Sequence, residues 1–164
     1  MKKIVLLLFF TLTYSQGFSQ NTFFIGEKTY PCSETYTLGF FHPKLEIVFI
    51  KNREQGMIAV TTDAHLGTQR IKGKLTIYLD NNTTITCLDR NKFDVVNHKS
   101  TTIYYLTKEE VNKLKYNNIT SIRYTVGCIK CYGMDSSDNY SVENKAEKYV
   151  SEKIDFTSVI RNLF

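Results

Sequence analysis

The chain lacks most of the local patterns that announce chemistry. There is no Gly-x-Ser-x-Gly elbow to present a nucleophilic serine and no glycine-rich phosphate loop. The close cysteine pair, Cys128 and Cys131, has no second pair at metal-finger spacing. No arginine-rich block, internal repeat, linker or low-complexity tract occurs. Beyond the first residues, no apolar run approaches the roughly 20 residues needed to span a bilayer. These absences argue against a serine hydrolase of the elbow type, a nucleotide-binding domain, a zinc-finger module and a polytopic membrane protein.

What is present begins with Lys2 and Lys3, then an apolar run from Ile4 to Phe10 that Thr11 to Tyr14 extend weakly. Gly17-Phe18-Ser19 places small residues where a signal peptidase reads. The pattern predicts a secretory signal peptide over residues 1–19 and one exported domain over residues 20–164, periplasmic or secreted. No cysteine just beyond it offers a lipid anchor. The whole chain has a formal charge of +5. Without the two leader lysines it falls to +3, too small an excess to point to nucleic acid.

Arg70 to Arg90 carries the clearest period-two pattern. Ile71, Gly73, Leu75, Ile77 and Leu79 share one parity, and Lys72, Lys74, Thr76, Tyr78 and Asp80 the other. The pattern predicts a strand with one buried face, a turn at Asp80-Asn81-Asn82-Thr83 and a return over Thr84–Leu88. Centring the turn on Asn82 pairs Leu79 with Ile85 and Ile77 with Cys87, in an odd-length loop with an Asn at positive φ. Leu45–Ile50 reads LEIVFI. Leu45, Ile47 and Phe49 lie on one side, Val48 and Ile50 on the other, so part of this strand is expected to be covered on both faces.

Thr107 and Glu110 form a capping-box pattern, with Leu106 and Val111 placed for a hydrophobic staple, so a short helix starts there. Ile119–Val126 reads as a strand returning from it. Tyr140–Val142 suggests a brief edge strand. From Asn144 the pattern turns helical, with Asn144 and Glu147 as a cap pair and a break near Asp155. The resulting expectation is an α+β domain: a mostly antiparallel sheet of about six to seven strands, a short helix, and a longer C-terminal helix on one face.

Candidate site residues fall into two groups. Cys32, Cys87, Cys128 and Cys131 are disulfide candidates, and four cysteines allow three connectivities. Thiol–disulfide exchange at Cys128 and Cys131 would need an activating helix start, but a strand precedes them. A structural bridge suits that context better: the pair to each other, or either to Cys32 or Cys87. Lys72, Lys74 and Tyr78, extended by Arg123, form a possible partner surface for a protein, glycan or envelope component. Its bland counterpart is a solvated face whose lysines discourage edge pairing.

Weaker candidates are solvated turn histidines at His42, His65 and His98 and oxygen donors at Asp135, Ser137 and Asn139. Carboxylates at Glu46, Asp63, Asp80 and Asp89 complete the set. None has a spacing that specifies a metal, cofactor or acid–base pair. Asn81, Asn82, Asn118 and Asn139 fit glycosylation sequons, which carry meaning only in a eukaryotic host. The functional expectation is a non-catalytic binding or structural domain. A small hydrolase or a thiol redox protein is the alternative.

Overall fold

A computed structural model describes residues 21–39, 44–64, 69–129, 137–145 and 152–164. The expected leader therefore lies outside the described residues. So do His42, His65, Cys131, Asp135 and Glu147.

The class is α+β, with mostly antiparallel strands. Among the described residues, eleven strands form three sheets, accompanied by two helices. A hairpin of β1 (Thr22–Ile25) and β2 (Lys28–Pro31) stands alone as a two-stranded sheet. Strands β3 (Tyr36–Leu38), β4 (Leu45–Asn52), β5 (Gln55–Asp63), β9 (Lys99–Leu106) and β8 (Phe93–Val96) form a five-stranded sheet in the order β3-β4-β5-β9-β8. Strands β11 (Ser137–Glu143), β10 (Ile119–Cys128), β6 (Gln69–Leu79) and β7 (Thr84–Cys87) form a four-stranded sheet in that order. Helix α1 spans Lys108–Tyr116 and α2 spans Phe156–Leu163.

The strand count exceeds the expectation because short hairpin arms escape a periodicity window. At the N-terminal hairpin, Gly26 has φ 59°, the first central position where a II′ turn takes glycine, and Lys28 pairs back onto Ile25. Asn97 and His98 have φ 49° and 61°, so the β8–β9 connection reverses in two residues.

One apolar cluster unites the two larger sheets. Leu45, Ile47, Phe49, Ile58 and Val60 come from the five-stranded sheet; Ile71, Leu75, Ile77, Ile122 and Tyr124 come from the four-stranded one. Burying one such aliphatic side chain contributes about 2 kcal/mol, so this layer is the main source of stability. A second cluster lies on the other face of the five-stranded sheet. There Cys32, Ile50, Met57 and Ala59 pack with Phe23, Ile25, Tyr30 and Val48. The β1–β2 hairpin is thus the cover that makes both parities of LEIVFI apolar, as the alternation within Leu45–Ile50 predicts.

Three expectations are corrected. The central hairpin pairs Ile77 with Ile85 and Leu75 with Cys87, not Leu79 with Ile85. The loop has odd length and Asn82 has φ 61°, but its centre is Asn81. The Leu79 N–H donates to the Thr83 carbonyl and the Asn82 N–H to the Leu79 carbonyl, which closes the loop one residue earlier. Gly73 is exposed, at φ 72°, in a bulge where β6 spends three residues, Gly73 to Leu75, opposite one residue of β10.

The C-terminal helix is the third correction. It is no longer than α1, begins at Phe156, and takes Asp155 as its N-cap. Asn144, whose expected cap partner Glu147 lies outside the described residues, bonds to other segments. It is buried at the end of β11, and its amide bonds to Ile119 and Ile154. Residues 152–155 are not helical. The two helices contact each other and contribute Val111, Leu114, Phe156, Ile160 and Leu163 to the shared cluster, rather than one long helix sealing a sheet face. Phe156 meets Tyr36 and Phe49 edge-on, at ring centroid distances of 5.4 Å and 5.7 Å.

The Thr107 capping box forms as the sequence predicts. The Glu110 N–H donates to Thr107 Oγ1, and the Thr107 N–H donates to the Glu110 carboxylate.

Candidate binding surface

Strand alternation gives the four-stranded sheet one sealed face and one half-exposed face. On β6, Ile71, Leu75, Ile77 and Leu79 are buried, whereas Lys72, Thr76 and Tyr78 are half-buried on the other parity. On β10, Ile122, Tyr124 and Val126 point inward, and Ser121, Arg123 and Thr125 outward. The register places Tyr78 between Ser121 and Thr84, and Thr76 between Arg123 and Thr86. Thr125 lies opposite Asn139, whose amide oxygen accepts from the Thr125 hydroxyl. No residue of this outward parity joins either apolar cluster.

The fold therefore brings Lys72, Tyr78 and Arg123 onto one face. Lys72 is half-buried rather than projecting. A Cβ on Gly127 would stand 2.0 Å from its Cε, so the lysine stem crosses β10 at a position that only glycine leaves open. Lys74 is exposed within the Gly73 bulge, at the margin of the face.

The cysteines separate. Cys32 and Cys87 are buried free thiols in different apolar clusters. Burial, aided by Glu110, pushes the Cys87 thiol up to about 12, and burial also raises Cys32. Neither is an activated thiolate at neutral pH. Cys128 is half-buried at the last position of β10, with no helix start before it, and Cys131 lies outside the described residues.

Asp89 is committed to structure. Asp89 pairs with Arg70 at 3.0 Å, with the two side chains only 11% and 13% exposed. The same Asp89 oxygen accepts from the Gly73 N–H, so this ion pair fixes the bulge, and the Arg70 guanidinium lies 4.4 Å over the Phe93 ring. Sequence reading missed this cluster because its members come from three separate segments; the odd glycine in a strand pattern was the available signal. Tyr104 lies near this pair, and its hydroxyl is buried without a bond partner. Burial lifts its phenol well above the ordinary range, with Asp89 adding to the shift and Arg70 opposing it. Asp80 stands in the exposed turn.

Glu46 and Asp63 do come together, in a depression of about 270 Å³ that also holds Lys44 and Lys99. Lys99 donates to Glu46, which holds its ammonium above the usual lysine value, and Asp63 adds to that. A lysine kept protonated in this way is not a general base. His98 is exposed in its turn, and Ser137 and Asn139 belong to strand β11 rather than to a loop. Among the described residues, no three of His, Cys, Asp or Glu converge as a metal-binding group. No described helix is long and apolar enough to cross a membrane.

Among the described residues the chain is thus an α+β protein of three antiparallel sheets, and the outward face of β6 and β10 carries hydroxyls together with Lys72 and Arg123. No protein-family model matches the chain, and neither a curated protein nor a solved structure proves similar to it.

Proposed function

We propose that the chain is an exported, non-catalytic binding domain that contacts a protein or cell-envelope component through the open face of the four-stranded sheet. One observation carries this reading. The five-stranded sheet has apolar clusters on both faces, whereas the outward parity of β6 and β10 joins neither. Tyr78 offers an amphipathic contact there, and Arg123 an exposed cation. A hydroxyl-bearing outward sheet face of this kind suits contact with a surface better than enclosure of a small substrate.

Within this reading Cys128 and Cys131 form a structural bridge beside the open face. Support comes from Cys32 and Cys87 being free thiols while Cys128 is not.

The test uses the purified chain and envelope material from the cells that produce it. Depletion from solution is measured for the wild type and for the Tyr78→Ala/Arg123→Ala double variant. Saturable binding weakened at least about tenfold in the variant is expected for a centrally placed aromatic and arginine. Equal depletion of the two proteins, or none of either, overturns the proposal.

A further inference from the structure

A second surface lies away from that face. A groove of about 1100 Å³ runs between β2 and the β4–β5 turn and reaches the first residue of α1. Its cations are Lys28, Lys51, Arg53 and Lys108, set against the carboxylates of Glu27 and Glu54, a net charge of +2. Lys108 and Glu54 pair at 2.8 Å. Lys28, Lys51 and Arg53 have no carboxylate partner among the described residues.

The walls of this groove are unpaired strand edges. β2 bonds to β1 along one side, and no described strand pairs with its other side. β4 pairs with β3 only at Leu45–Ile47, and Cys32 bridges Ile50. Past that bridge, Lys51 and Asn52 are paired only with β5. Tyr30 and Pro31, both half-buried, add apolar lining. Pro31 has no N–H, so the free side of β2 offers the Thr29 N–H and the Thr29 and Pro31 carbonyls, a short set of groups that a peptide backbone matches and a sugar chain does not.

We propose that this groove receives an extended acidic segment of a partner protein, laid along the free edge of β2 with its carboxylates on Lys28, Lys51 and Arg53. Backbone pairing supplies the binding mode, and the cations select acidic side chains. The proposal goes beyond the open sheet face and does not rest on it.

The test is fluorescence anisotropy of labelled hexaglutamate with the full chain at low salt. Saturable binding is expected, weakened by added salt, because the contacts are exposed charges. Lys28→Gln/Arg53→Gly should bind about tenfold more weakly, and Lys28→Arg/Arg53→Lys should bind as the wild type does. Glycine suits position 53, where φ is 57°. Hexaglutamate N-methylated at alternate amides should lose binding, and Tyr78→Ala/Arg123→Ala should retain it. No binding to the wild type, equal binding to Lys28→Gln/Arg53→Gly, or equal binding of the N-methylated peptide overturns the proposal. Loss in the Tyr78/Arg123 variant alone also overturns it, by moving the acidic ligand to the open face.

Discussion

Asn118 and Asn144 donate to the same oxygen, the carbonyl of Ile154, at 3.0 Å and 2.8 Å. Asn144 also donates to the Ile119 carbonyl and accepts from the Ile154 N–H. Asn118 accepts from the N–H groups of Ile119 and Phe156. Two side-chain amides thereby satisfy the backbone that leads into α2 and hold it against the start of β10. Removing either should leave buried backbone groups unpaired. Asn144→Ala should cost about 3 kcal/mol in urea unfolding, and Asn118→Ala somewhat less because it is less buried. The Ile154 carbonyl keeps one side-chain amide donor in either single variant and loses both only in the double, so the double variant should lose more than the summed single losses. Additive losses would refute the shared latch.

The α1 cap gives a smaller, cleaner change. Thr107→Ala should destabilise by about 1 kcal/mol, read from the unfolding midpoint at unchanged slope, since it frees the Glu110 N–H. An effect within error would mean that packing of Val111 and Leu114 alone sets this helix.

Gly56 marks a close approach. A Cβ there would meet Val111 Cγ2 at 2.9 Å, Phe164 Cζ at 3.2 Å and Leu106 Cδ1 at 3.3 Å. Gly56→Ala should cost about 1–3 kcal/mol through overpacking where β5 meets α1. A thermal melt showing equal or higher stability would refute that packing.

Thiol counting separates the cysteines. Denatured but unreduced chain should take two alkylating groups, at Cys32 and Cys87, and reduced chain should take four; four labels without reduction would remove the Cys128–Cys131 bridge. In the native state Cys87 should react slowly near pH 8, because its thiol is buried and shifted to about 12. A group whose folded value is raised adds stability that is complete below its ordinary value. The Cys87 contribution should therefore fall as pH rises from about 9 towards 12, and Cys87→Ala should flatten that alkaline loss.

Asp155 gives the opposite sign. The Thr157 hydroxyl and the Ser158 N–H hold its carboxyl below the ordinary value. Its contribution is present above about pH 4 and is lost as pH falls through the folded value. Asp155→Ala should cost about 1 kcal/mol at neutral pH, with the gap to wild type narrowing in acid. Asp155→Asn keeps an N-cap and should lose that acid dependence. A gap constant with pH would refute the charged cap.

The amino-acid order alone determined features that depend on neighbours a few residues apart. These include the Thr107 capping box, the two apolar parities of LEIVFI, the buried and outward sides of β6 and β10, and the αL residue of the central hairpin. Each follows from side-chain direction along one element or from one residue's backbone preference. Tertiary structure decided the rest. Only the three-dimensional register closed the hairpin at Asn81, set Arg70 on Asp89 and turned Asn144 from an apparent helix cap into a buried latch. Only the assembled sheets placed the β1–β2 hairpin over Ile50 and Met57 while keeping the outward side of β6 and β10 apart from both apolar clusters. Apart from the hairpin register, these outcomes depend on partners distant in sequence, 16 residues apart for Gly73–Asp89 and 36 for Asn118–Ile154, and no local pattern encodes such distances.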